Sequence, residues 1–314
     1  MGQYVFGVDI GGTTVKLGLF DIDGNLMKKW EIPTRTQESG SHILPDVAES
    51  ILNVMGEEQI AGEAVEGIGV GAPGPIDKEG VVYKTANLGW GVFSIVEALQ
   101  GQLGLPVKAG NDANVAALGE MWKGGGQGYR NLVVVTLGTG VGGGIIIDGA
   151  MLTGSTGAGG EIGHIHVDDD ETEACGCGNI GCLEQYSSAT GITRLAEKRL
   201  KGTTEKSILR DSKVSAKSVF DAVKAGDAVA IKVAEEFGEY LGKGLAAIAG
   251  VVNPEAFVIG GGVSKAGEIL FDYIVPNYRK FVFHGSRDAE FKLATLGNDA
   301  GIYGAAKLVL DKDE

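Results

Sequence analysis

The chain has 314 residues, 44% of them apolar, and its 27 Lys and Arg against 41 Asp and Glu leave a net charge of −14. That length suits two domains of about 150 residues each, and the negative charge repels nucleic-acid phosphates and anionic lipids, so neither nucleic acid nor membrane is expected as a partner. No apolar run reaches the roughly eighteen residues of a membrane span and residues 1–20 show no signal-peptide pattern, so a cytoplasmic location is expected.

Tyr4 to Ile10 reads as a strand, which passes through the turn Gly11-Gly12-Thr13-Thr14 into a second alternating run, Val15 to Phe20, and then a hairpin turn at Asp23-Gly24. Apolar residues recur at helical spacing over 42–55, and the strand Gly67 to Gly71 follows. An amphipathic helix over Ser94 to Leu103 and a short strand at 106–109 lead through Gly110-Asn111-Asp112 into a helix, Ala113 to Trp122. Asn131 to Leu137 then starts a new strand, whose Gly138-Thr139-Gly140 turn feeds another, Gly144 to Ile147. Strand, glycine-threonine turn and strand thus occur twice, which points to two related halves. Helical periodicity covers 214–223 and 229–248, and the strand Ala256 to Ile259 runs into Gly260-Gly261-Gly262, with Ser264 expected to cap the next helix. A last amphipathic segment, 300–310, is expected to pack back on the first domain. The predicted division is therefore a smaller α/β domain, 1–115, completed by 300–314, and a larger one, 116–299.

Asp9-x-Gly11-Gly12-Thr13-Thr14-x-Lys16 places a carboxylate at a strand end beside glycines that let a polyphosphate approach backbone N–H groups. The pattern is neither a Walker loop nor a dinucleotide fingerprint, because strand rather than helix follows. Its carboxylate suits Mg²⁺ held through water. The echo at Gly138-Thr139-Gly140-Val141-Gly142-Gly143 suggests a second turn for the same phosphate tail, and Gly260 to Gly262 leave room for a base or ribose.

All three cysteines, Cys175, Cys177 and Cys182, fall within eight residues among glycines. An odd number of thiols so spaced points to one metal ion rather than disulfides. Zinc accepts three Cys and one His, and His164 and His166 lie eleven and nine residues before Cys175.

These motifs resemble the ROK family of sugar kinases and repressors, and most closely its ATP-dependent bacterial glucokinases. The Glu-x-x-His turn (Glu161 to His164) and the segment C-x-C-G-x-x-G-C-x-E (Cys175 to Glu184) carry most of that specificity. The resemblance implies a two-domain actin-like ATPase (ribonuclease H-like) α/β fold with an interdomain cleft, and ATP-dependent conversion of glucose to glucose 6-phosphate. It implies ATP phosphates at Asp9, Gly11, Gly12, Thr13, Thr14, Lys16, Gly138, Thr139, Gly140, Gly142 and Gly143, adenosine at Gly260, Gly261 and Gly262, and Asp112 as the base that takes the sugar's proton. Sugar contacts are implied for Gly71, Asn87, Asn111, Asp112, Glu161, His164 and Glu184. His164 becomes the fourth ligand of a structural zinc with Cys175, Cys177 and Cys182. Other substrates considered are N-acetylmannosamine, N-acetylglucosamine and fructose; a non-catalytic sugar-responsive regulator is the other class. A homodimer or higher homo-oligomer is expected. Because the phosphate turns lie outside the cysteine segment, loss of zinc is expected to spare nucleotide binding.

Overall fold

The computed structural model describes residues 2–311 except 84, 86 and 212. Three strands open the chain, β1 (Tyr4–Ile10), β2 (Thr14–Asp21) and β3 (Leu26–Pro33), paired antiparallel in sequence order. The Asp23-Gly24 turn closes the second hairpin: Gly24 takes φ +83°, and Asp21 Oδ1 accepts from Asp23 N and Asn25 N. A short turn, α1 (Gln37–Gly40), and α2 (Ile43–Glu57) lead to β4 (Val65–Ala72). A small ladder of β5 (Val81–Val82) and β6 (Phe93–Ser94) precedes α3 (Ile95–Leu103), β7 (Val107–Asn111) and α4 (Asp112–Lys123). The first sheet has the order β3-β2-β1-β4-β7, with β1, β4 and β7 parallel.

The chain continues through β8 (Leu132–Leu137), β9 (Val141–Ile147) and β10 (Ala150–Met151). Helices α5 (Glu184–Ser187), α6 (Ala189–Gly202), α7 (Ala216–Lys224) and α8 (Ala228–Val252) follow. Then come β11 (Ala256–Gly260), α9 (Ile269–Phe281), β12 (Glu290–Leu293) and α10 (Ala300–Leu310). The second sheet is ordered β10-β9-β8-β11-β12, with β8, β11 and β12 parallel. Both sheets therefore place three sequential strands beside two reached by longer connections, the arrangement foreshadowed by the repeated strand, turn and strand.

Packing divides the chain into residues 1–128, 144–160 and 296–314 as one unit and residues 129–143 and 161–295 as the other. The first unit thus extends past the sequence boundary at 115, because α4 lies against α10 and the β10 hairpin lies against α4. Alternation along β1 explains why that sheet is covered on both faces. Phe6, Val8 and Ile10 enter a core with Val47 and Ile51 of α2 and Leu99 of α3, while Val5 joins Phe20, Ile302 and Ala306 on the other face. Gly7 and Gly69 sit beneath α10, where a methyl group would overlap the Ile302 or Ala305 carbonyl.

In the second unit, α8 is capped at both ends: Asp227 accepts from Val229 N and Ala230 N, and Asn253 takes φ +43°. Ser264 does not cap α9. Its hydroxyl donates back to Gly261 O at 2.8 Å, a short 3₁₀ turn occupies 263–266, and α9 begins only at Ile269. Among the described residues no helix is long and apolar enough to cross a membrane.

Candidate functional site

The first unit gathers its polar residues at the carboxyl ends of β1, β4 and β7, where ligands sit in open α/β sheets. Register places Asp9 beside Gly71, and Gly71 beside Gly110. A side chain at Gly71 would press on Val115 at 3.3 Å, so this candidate sugar contact also serves the packing of α4. The Gly11–Thr14 turn is closed by Gly11 N donating to Thr14 O and is fastened by Thr34, whose hydroxyl donates to Gly11 O at 2.7 Å. Gly12 and Thr13 are exposed at its tip. Lys16 donates to Asn298 O at 3.0 Å, and Asn87 lies exposed in the turn before buried Leu88.

Asn111 and Asp112 divide their work. Asn111 is the N-cap of α4: its Oδ1 accepts from Ala113 N and Asn114 N, and its Nδ2 donates to Gly74 O at 3.1 Å. The same side chain also hydrogen-bonds the Asp112 carboxyl. Asp112 is consequently the first helical residue rather than the cap, and its Oδ1 accepts from Ala113 N at 2.8 Å. Burial raises its carboxyl above the ordinary range, partly offset by hydrogen bonds from Ala113 N, from its own backbone N–H and from the Asn111 side chain. Such a carboxylate, held by the helix start and not consumed as its cap, is suited to accept a proton.

Burial also raises Asp9 to about 6; nearby Lys16 opposes the shift and Asp112 adds to it. The protonated form is then favoured in the folded state, so Asp9 contributes stability below about pH 4 that is lost as pH rises towards 6, on the order of 3 kcal/mol. Above that pH the buried charge needs a cation, which fits Mg²⁺ held at Asp9. Accordingly, Mg²⁺ should raise Tm more at pH 7.5 than at pH 5, and Asp9→Asn should melt above wild type at pH 7.5 without Mg²⁺ while losing the Mg²⁺ response. Thermal melts at the two pH values test this; a variant less stable than wild type at pH 7.5 would contradict it.

In the second unit the two glycine turns are neighbours. β11 pairs with β8 so that Gly260 lies opposite Thr136, and Gly261, at φ +82°, approaches the Leu137 carbonyl just before the Gly138–Gly140 turn. That turn is closed by Gly138 N donating to Gly140 O at 3.0 Å. Glu161 to His164 form one 3₁₀ turn. His164 Nδ1 lies 3.8 Å from Cys175 Sγ and 4.0 Å from Glu184 Oε1, while Nε2 lies 3.9 Å from Glu161 Oε2.

One ligand atom from each of His164, Cys175, Cys177 and Cys182 falls within 4.8 Å of the others. Cys177 and Cys182 have sulfurs 3.7 Å apart, and thiolates about 2.3 Å from a tetrahedral ion stand about 3.8 Å apart, so the donor set fits zinc. Burial pushes the Cys175 thiol up to about 12, a cost that bonding to a cation reverses. His166 is not part of the set. Its Nδ1 faces Ile180 O at 2.9 Å and its Nε2 faces Asp169 at 2.8 Å. Gly181 closes the cysteine loop at φ +70°, where any side chain would overlap the Asp168 carbonyl.

A polar buttress that sequence reading missed fastens this loop to the helices. Tyr186 donates to Asp168 at 2.6 Å and to Glu171 at 2.7 Å, Tyr240 of α8 donates to Asp168 at 3.1 Å, and Arg194 of α6 pairs with Glu171 and Glu173. Hydrogen bonds, led by Arg194, hold Glu171 down to about 2. The partners lie 15 to 72 residues apart, a separation at which no local spacing gives a signal.

Two sheets of matching strand order, each carrying a glycine turn between its first strands, together with the zinc segment, define a sugar kinase of the two-domain actin-like ATPase fold. The chain belongs to the ROK family, whose profile matches residues 5–312. The glucokinase of Halalkalibacterium halodurans is 43% identical to it over 99% of this chain and 96% of its own length. A ROK family glucokinase from Streptomyces griseus, solved in complex with glucose and AMPPNP, is 36% identical, with 97% of this chain and 98% of that one covered and a TM-score of 0.74. The ROK hexokinase of Thermus thermophilus is 33% identical, with 96% of each chain covered and a TM-score of 0.80.

Proposed function

We propose that this protein is an ATP-dependent glucokinase that forms glucose 6-phosphate. The observation that carries the reading is Asp112, a carboxylate raised by burial, fixed at the start of α4 and left available because Asn111 takes the cap. The similarity to enzymes named glucokinase supports glucose as the acceptor. Asp112 accepts the proton of the 6-hydroxyl as that oxygen bonds to the γ-phosphorus of ATP; the bond from that phosphorus to the β,γ-bridging oxygen breaks, and ADP leaves. Mg²⁺, when bound at Asp9, neutralises phosphate charge.

In the first unit, Gly11, Gly12, Thr13, Thr14 and Lys16 serve the phosphates, and Gly71, Asn87 and Asn111 serve the sugar. In the second, Gly138, Thr139, Gly140, Gly142 and Gly143 serve the phosphates and Gly260 to Gly262 the adenosine. Glu161, His164 and Glu184 accept from or donate to sugar hydroxyls, with His164 Nδ1 on the Cys175 side, where it would hold zinc, and Nε2 on the Glu161 side. Buried polar groups left unpaired by the wrong epimer cost about 1–3 kcal/mol each, which is how such a site discriminates. The reduced thiols of a zinc site suit the cytoplasm, and a two-fold homodimer is the assembly we favour. A coupled ADP-release assay across glucose, fructose, N-acetylmannosamine and N-acetylglucosamine is expected to show the highest kcat/KM with glucose; preference for an N-acetylhexosamine would reassign the substrate.

A further inference from the structure

Glu184 faces two ways. Its Oε1 lies 3.0 Å from Cys175 Sγ and 4.0 Å from His164 Nδ1, on the side of the cysteine cluster. Its Oε2 accepts from Val141 N at 3.3 Å, at the end of the Gly138–Gly140 turn. Gly140 is adapted to that approach, since a Cβ there would stand only 2.5 Å from Oε2. Two more contacts tie the same segments together: Ala189 N donates to Gly138 O at 2.8 Å, and a methyl group at Gly163 would overlap the Val141 carbonyl.

We propose that Glu184 is a positioning residue for the nucleotide as well as a sugar contact: its Oε2 holds Val141 N and so sets the Gly138–Gly140 turn and the start of β9 for the ATP phosphates. The proposal rests on reading that turn as a phosphate turn. A carboxylate so close to a bound polyphosphate is electrostatically unfavourable, so its presence there calls for a structural return. The hydrogen bond supplies one: it fixes Val141 where the Gly138–Gly140 turn enters β9, and with Gly138 N donating to Gly140 O it holds the turn in shape before the phosphates arrive. Because one carboxylate serves the sugar side and the nucleotide side, binding of either ligand alters the affinity for the other by the same factor.

The experiment measures affinity for a non-hydrolysable ATP analogue with Mg²⁺ and no sugar, on zinc-loaded wild type, Glu184→Gln and Glu184→Ala. Glutamine keeps an oxygen for Val141 N and removes the negative charge, so Glu184→Gln should bind the nucleotide as tightly as wild type or more tightly. Alanine removes the acceptor, so Glu184→Ala should weaken binding about tenfold. If Glu184 acted only on the sugar, neither variant would move this affinity; if it acted only through charge, both would tighten it. Either result overturns the proposal.

Gly140→Ala provides an independent approach, because its methyl displaces the carboxylate from the other side. It should weaken nucleotide binding about as much as Glu184→Ala, yet add less than about twofold in the Glu184→Ala background, where the clash is relieved. Full additivity would assign the loss to the turn alone and overturn the proposal, and this comparison stands even if one single variant folds poorly. A wild-type protein that phosphorylates glucose while Glu184→Ala keeps its nucleotide affinity sinks the proposal and leaves the kinase reading intact. Wild type that binds no ATP analogue sinks both.

Discussion

Asp112→Asn should lower kcat about 10²–10⁴-fold while leaving glucose affinity within a few-fold. Asparagine keeps the size of the side chain and an oxygen for Ala113 N, so α4 and its Asn111 cap should stand unchanged. What is lost is the capacity to take the hydroxyl proton during attack. The wild-type pH profile provides a second check: burial raises Asp112, so kcat/KM should fall on the acid side with an apparent pKa above that of an ordinary aspartate. Steady-state kinetics and glucose binding by calorimetry measure both. A variant that retained near wild-type kcat would remove Asp112 from the chemistry.

The second large effect is expected from the metal. Purified wild type should carry about one zinc per chain, and Cys177→Ser should lose most of it and raise glucose KM tenfold or more, the scale seen when a metal's supporting shell is disturbed. Cys177 is the exposed ligand of the set, whereas Cys175 and Cys182 are buried, so the substitution removes a donor with little effect on packing. The fold should persist, because Tyr186, Arg194 and Tyr240 hold Asp168 and Glu171 independently of the cysteines. Nucleotide binding should not be fully spared, in contrast to what the spacing of segments suggests. Glu184 stands between Cys175 and Val141, so a loosened loop should also weaken ATP by a few-fold. Circular dichroism, zinc analysis and both KM values on one sample decide it; unchanged glucose KM in a folded, zinc-free variant would make the cluster a remote clip.

Much of this was legible from local pattern. The strands, the Asp23-Gly24 hairpin and the cysteine cluster each depend on residues near in sequence, where periodicity and turn chemistry act directly. The choice between Asn111 and Asp112 as helix cap was not legible, because both residue types cap well and one of the bonds that hold Asn111 in place goes to the Gly74 carbonyl, 37 residues earlier. Nor was the extent of the first unit, since it depends on α10 lying against α4 from the far end of the chain. The Glu184 to Val141 hydrogen bond spans 43 residues and joins a side chain to a backbone group, which no residue-type pattern encodes.

The position of α10 has a consequence for how the protein is made. Gly7 and Gly69 leave room for a helix made only after the second unit, and Val5 and Phe20 have their apolar partners in Ile302 and Ala306. Synthesis at about 5–20 residues per second therefore leaves one face of the first sheet uncovered for roughly 10–40 s between the making of β7 and that of α10. The unit that emerges first is completed only after the second has been made. During that interval the exposed strands are a natural client for a chaperone, and a chain stalled before residue 300 would aggregate through the face that α10 covers.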